Sequence, residues 1–243
     1  MISSGRGGMG TSDTGKFTGF RPAAIDFFRD LDANNNRDWF EAHKEIYVEE
    51  IQQPALALVE ALGSRVATEF PGIGYDTRLS GGSLMRIYRD VRFSKDKTPY
   101  KTQVAMMFTS LEGKRMEQPG YGLQLSPRGV ELIAGVFRFT PERLARYREC
   151  VLDGRLGAAL EDAAQKVRNA GDYRVGGQTY KRVPRDFDAD HPRSKWLLYS
   201  GLHAFSPVLP VEAALDAGLV EKVMAHFRKM SPVERWLADA VCR

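Results

Sequence analysis

Between Arg86 and Lys101 the chain reads RIYRDVRFSKDKTPYK, and no other stretch packs cations, acids and aromatic rings so densely. Arg86, Arg89, Arg92, Lys95, Lys97 and Lys101 are set against only Asp90 and Asp96. The chain holds 35 Lys and Arg against 31 Asp and Glu, so 29 of each sign remain elsewhere and the whole excess of +4 resides here. A local excess of this kind marks where an anion is first drawn. A guanidinium grips phosphate or carboxylate through parallel N–H donors, and an acid placed between two arginines fixes one fork while the other stays available. On this reading Arg86, Arg89, Arg92 and Lys97 hold an anion, Asp90 and Asp96 orient them, and Tyr100 stacks or hydrogen-bonds. Arginine, lysine and aromatic side chains together suit a phosphate-bearing ligand better than a plain carboxylate.

Two rival readings use the same residues. Arg–Asp pairs also pin loops to sheets, so the cluster could be an internal salt-bridge lattice of a structural or interaction protein. A nucleic-acid binder could use the same patch, although such proteins usually carry a broader basic stripe. No reaction is named by these residues, and whether the protein is an enzyme stays open. Its catalytic candidates are His191, because histidine titrates near neutrality unaided, and Asp90. Asp188, Asp190 and His191 could together offer oxygen and imidazole to a divalent cation, but they lack spaced partners and suit turn chemistry as well. No metal and no cofactor is therefore expected. His43, His203 and His226 fall in helical or apolar segments and read as structural. Neither Gly81-Gly82 nor Gly176-Gly177 leads into a phosphate loop, and no G-x-S-x-G elbow occurs.

The elements that position the cluster follow from periodicity. Pro22 opens a helix carrying Ile25, Phe28 and Leu31, and Asn36 caps the next, with Trp39, Phe40, Ile46, Tyr47 and Ile51. Pro54 is expected to restart the chain into a further helix, which continues through Leu58, Leu62 and Val66 to the Pro71-Gly72 break. From Tyr75 to Phe139 the pattern turns short and alternating, predicting antiparallel strands at Leu84–Val91, Thr102–Thr109, Tyr121–Leu125 and Val130–Phe139. Alternation along the first would set Arg86, Tyr88, Asp90 and Arg92 on one face, and Met85, Ile87, Val91 and Phe93 towards the core. Thr140-Pro141 opens another helix, and a further helical stretch runs from about Leu156 to Asn169. Residues 172–210 read as irregular, with short strands near Tyr173–Val175, Thr179–Lys181 and Trp196–Tyr199. Helical pattern returns from Val211, broken near Ser231-Pro232. Helices, then strands, then helices predict an α+β fold: a mainly antiparallel central sheet flanked by N- and C-terminal helices.

Hydrophobic residues at 43% and charged residues at 27% exclude wholesale disorder and leave length for one domain, expected over residues 20–243. Residues 1–19 read as a flexible Gly/Ser/Thr-rich leader without the apolar core of a signal peptide. Two cysteines, Cys150 and Cys242, suggest neither a disulfide framework nor a zinc site, which suits a reducing cytoplasm. No apolar run is long enough to span a bilayer, so no membrane partner is expected.

The run R-x-x-R-D-x-R-F (Arg86, Arg89, Asp90, Arg92, Phe93) followed by D-K-x-x-Y (Asp96, Lys97, Tyr100) resembles the hallmark of the DUF2461 family. The likeness extends to NNNRDWFEAHK (Asn34–Lys44), PGYGLQLSPRG (Pro119–Gly129) and KRVPRDFDADHP (Lys181–Pro192), where Asp186 stands at a position usually held by Gly in that family. The resemblance implies a similar compact α+β fold and carries no activity with it.

Overall fold

The computed structural model of the chain describes residues 16–111 and 114–242. Most of the expected leader, residues 1–15, lies outside the described residues. At its end Phe17 is buried edge-on against Phe20, with ring centroids 5.7 Å apart.

Helix α1 (Pro22–Ala33) starts at proline, whose missing N–H is harmless in a first turn, and buries Ile25, Phe28 and Leu31 on one face. Asn36 caps α2 (Arg37–Ala42) as expected, its side-chain oxygen accepting from the Trp39 N–H at 3.0 Å. Beyond α2 the chain does not restart at Pro54. Helix α3 (Lys44–Ile46), a π-helical turn (Tyr47–Gln52) and α4 (Gln53–Glu69) form one run. Proline cannot donate to the preceding turn and crowds the carbonyl four residues back, and a widened turn directly before it accommodates both defects. The run ends at Phe70-Pro71, where Gly72 takes a φ of +89°.

The sheet is five-stranded and antiparallel throughout, in the order β1 (Val104–Thr109), β2 (Gly120–Ser126), β3 (Gly129–Val136), β5 (Tyr199–Phe205), β4 (Arg174–Gln178). Alternation holds well. Met106, Phe108, Leu123, Leu132 and Ala204 are buried beneath the helices, with α7 (Leu219–Ala240) across β3 and β5 and α4 against β1. The opposite face carries half-buried Ala105, Met107, Gln124, Ile133 and Phe205. Helices α5 (Pro141–Leu152) and α6 (Gly154–Asn169) complete the C-terminal layer, capped by Thr140 and Asp153 side chains. This is the α+β architecture expected from the sequence. No described helix is long and apolar enough to cross a membrane.

Several local expectations fail for identifiable reasons. Leu84–Val91 is not a continuous strand: it meets the return chain only through isolated bridges, Leu84 with Met106 and Tyr88 with Tyr100. The strand expected at Trp196–Tyr199 is instead a 3-10 helix (Ser194–Leu198) up to Leu198, and Tyr199 begins β5, which continues through the apolar run around His203. No strand forms at Thr179–Lys181, where the N–H groups of Thr179 and Tyr180 both donate to the Leu198 carbonyl. Pro232 does not break α7. The Arg228 carbonyl, which a proline at that position cannot serve, accepts instead from the Ser231 hydroxyl at 2.9 Å.

Candidate functional site

The basic segment folds back on itself as an irregular hairpin along the β1 edge of the sheet. Its base is held by Met85 N–H to the Ala105 carbonyl and Met107 N–H to the Ser83 carbonyl (2.8 and 2.9 Å). Higher up, Arg89 N–H donates to the Pro99 carbonyl and Lys101 N–H to the Ile87 carbonyl, each at 2.8 Å. The two sets of bonds are offset by two residues, so the ladder slips between them and no regular strand can form. Residues 90–98 make the projecting end.

Within that end the arginines find carboxylates of their own loop. Arg92 donates from Nε to Asp90 Oδ1 (2.9 Å) and from Nη2 to Oδ2 (2.7 Å), a bidentate pair. Arg89 donates from Nη1 to Asp96 Oδ2 (2.6 Å) and to the Thr98 hydroxyl. The other Asp96 oxygen accepts from the Thr98 N–H at 2.9 Å, closing a small ring of bonds. Lys97 donates to the Val91 carbonyl at 2.9 Å and Lys101 to the Arg86 carbonyl at 2.8 Å. Asp90 is held at about 2 by Arg92, first through its side chain and then its backbone. Asp96 is held at about 2 by the Thr98 N–H and then by Arg89. The Arg92–Asp90 pair faces water, with the Arg92 side chain 77% exposed, whereas the Arg89 side chain is mostly covered.

Tyr100 anchors the hairpin from below. It is buried, stacked on Phe40 with centroids 4.2 Å apart, and flanked by Tyr88 at 5.4 Å. Asn35 clamps its backbone from both sides, accepting from the Tyr100 N–H (3.1 Å) and donating to the Tyr100 carbonyl (3.0 Å). The segment Asn34–Lys44 and the basic segment are thus two halves of one contact. Burial pushes the neighbouring Tyr47 hydroxyl up to about 12.

The Arg86 and Lys95 side chains make no hydrogen bond or ion pair among the described residues, and both are exposed. Phe93, expected on the core face, is instead 95% exposed at the projecting end, with the Arg92 guanidinium 5.9 Å from its ring centroid. Alternation fails there because the chain has left the sheet before Phe93.

His191 is not brought to this cluster. It lies between β4 and β5, towards the other edge of the sheet, where its Nδ1 accepts from the Arg193 N–H at 3.1 Å. Asp188 is likewise engaged in a turn, accepting from the Asp190 N–H at 2.9 Å. Among the described residues no group of three or more His, Cys, Asp and Glu side chains is arranged to hold a metal. The late segment is docked by Arg148, whose guanidinium lies 5.4 and 5.5 Å from the Tyr180 and Phe187 rings. Asp186 has no positive φ, so the turn here does not require glycine.

Sequence reading missed the half-buried face of the sheet. There Met85, Met107, Ile133, Phe137 and Phe205 line an open groove of about 200 Å³. A row of Gln103, Gln124 and Glu131 crosses it, linked by hydrogen bonds of 2.6 and 3.1 Å. The signal was present in the alternation of β1 to β3, whose second face is neither fully polar nor buried.

A search of curated proteins finds no significant match. The profile described as "Conserved hypothetical protein (DUF2461)" matches residues 23–236, spanning the anchoring helices, the basic hairpin, the sheet and most of α7. The chain belongs to the DUF2461 family.

Proposed function

We propose that the protein binds a phosphate-bearing ligand on the outside of the basic hairpin, and that the Arg–Asp pairs shape this finger without themselves gripping the ligand. The observation that carries the reading is the division of labour within the loop. Arg89, Arg92, Lys97, Asp90 and Asp96 are engaged with one another and with the backbone, while Arg86, Lys95 and the fully presented Phe93 are left outward. A convex tip cannot enclose a small anion, but it can lie along an extended polyanion. Single-stranded nucleic acid supplies both phosphates for the two cations and base faces for Phe93. Two unpaired thiols, Cys150 and Cys242, suit action in a reducing cytoplasm.

The test is fluorescence anisotropy with a labelled oligothymidylate between about 50 and 200 mM salt. Each neutralised phosphate of a single strand contributes about 0.7 to the logarithmic salt slope, so removing Arg86 and Lys95 together should flatten it by about 1.4. Phe93→Ala should weaken binding by roughly tenfold, since stacking one base is worth ~1–3 kcal/mol. Melting temperatures of these variants should match the parent. Binding that ignores salt, or that survives all three substitutions, overturns the proposal.

The rival reading, a purely structural role, is favoured by the bidentate Arg92–Asp90 pair. On that view Arg86→Ala, Lys95→Ala and Phe93→Ala are silent in every assay, while Asp90→Ala and Asp96→Ala loosen the hairpin.

A further inference from the structure

The groove on the open sheet face has a chemical polarity of its own, independent of the hairpin tip. A carboxylate can only accept hydrogen bonds, so the contact from Gln124 Nε2 to Glu131 Oε2 fixes the Gln124 amide with its oxygen towards Gln103. Gln103 then donates to that oxygen from Nε2 at 2.6 Å, which fixes the second amide in turn. The row therefore ends in acceptors: the Gln103 carbonyl oxygen and the remaining Glu131 oxygen. Glu131 is half-buried, and no basic side chain pairs with it among the described residues. The other charged lining group, Lys101, turns its ammonium to the Arg86 carbonyl at the hairpin end. Arg174 lies over the Phe205 ring, 5.6 Å from its centroid, and forms no ion pair among the described residues.

We propose that this groove binds a small organic amine, its apolar body against Met85, Met107, Ile133, Phe137 and Phe205 and its ammonium on Glu131. A cation beside a carboxylate and aromatic rings gains from both, and thioether side chains adapt to an irregular body. An anion would meet the Glu131 charge, and a neutral hydrocarbon would desolvate that carboxylate while leaving it no counter-charge beyond the Gln124 amide. The volume of about 200 Å³ lies below the ~300–1,000 Å³ typical of drug-sized sites, so the occupant is a compact molecule.

Three probes of one shape test the assignment: benzylamine, benzyl alcohol and benzoate, titrated against protein carrying ¹³C-methyl methionine. Benzylamine should shift the methyl signals of Met85 and Met107 saturably, and bind about tenfold or more tightly than benzyl alcohol, as a charge-assisted bond implies. Benzoate should be the weakest. Glu131→Gln, which keeps the acceptor for Gln124 but removes the charge, should erase the preference for the amine. Ala105→Trp should fill the groove and remove all three responses. Equal affinity for amine and alcohol, tighter binding of benzoate, a preference that survives Glu131→Gln, or no saturable shift with any probe would each overturn the proposal.

Discussion

Glu234 is the one acid buried in the core among the described residues, and its replacement by glutamine should remove the loss of stability that its ionisation causes as pH rises. It sits on α7, 4% exposed, and accepts a hydrogen bond from Tyr121 of β2 at 3.1 Å. Burial pushes its carboxyl from 4.5 up to about 7, against smaller opposing effects of the Tyr121 bond and Arg235. In the unfolded chain the group ionises near 4.5, so between that value and about 7 the folded state binds the extra proton. Stability is then complete below pH 4.5, falls as pH rises through about 7, and is level beyond. At 1.36 kcal/mol per pH unit, a displacement of that size costs about 3 kcal/mol at pH 8. Glu234→Gln keeps an acceptor for the Tyr121 hydroxyl and cannot ionise. In urea titrations at pH 4.5 and 8 the variant should match the parent at the acid end and exceed it by about 3 kcal/mol at the basic end. For a chain of this length that corresponds to about 6–12 °C in melting temperature. Parallel pH profiles for parent and variant would refute the burial argument.

Two further outcomes concern the hairpin. Phe40→Ala removes the ring on which Tyr100 stacks and should destabilise the domain by about 3–5 kcal/mol, as large-to-small changes at fully buried aromatics do. Hydrogen exchange should then accelerate first at Arg89 and Lys101, whose N–H groups hold the ladder; uniform acceleration across the sheet would contradict the anchoring role. Acid titration of the projecting end, followed through the Thr98 and Arg92 amide signals, should show midpoints near 2 instead of 3.8. Both carboxylates are depressed by their loop partners, so the order they impose is present above 3.8 and disappears as pH falls through about 2.

What the sequence disclosed and what it concealed divide along the range of the interactions involved. Caps at Asn36 and Thr140, the opening prolines of α1 and α5, and the alternation of β1 to β3 are set by neighbours a few residues apart, and each was legible. The failures at Pro54 and Pro232 are instructive, because proline is a reliable local breaker until a compensating group stands beside it. A π-helical turn compensates in one case and the Ser231 hydroxyl in the other. Strand β5 was left undecided between an apolar loop and a strand around His203, because its membership is decided by partners far off in sequence, β3 on one side and β4 on the other.

The hallmark segment shows the same limit applied to a site. Its composition identified a basic, aromatic patch, and the patch exists on the surface. Alternation then assigned faces on the premise that a strand continues to Phe93, whereas the chain makes its last bond to β1 at Met85 and beyond it pairs with its own return segment and turns on its own ion pairs. Once Arg89 closes on Asp96 and Arg92 on Asp90, those cations are no longer unpaired. The acids that seemed to orient arginines towards a ligand are the arginines' own partners. A charge cluster in a sequence therefore fixes where a field arises, but the pairing within it decides which members remain to act. Here that selection leaves Arg86 and Lys95 unpaired among the described residues and Phe93 bare, so under the proposed function substitutions at these three positions, and not at the paired Arg89 and Arg92, should separate binding from folding.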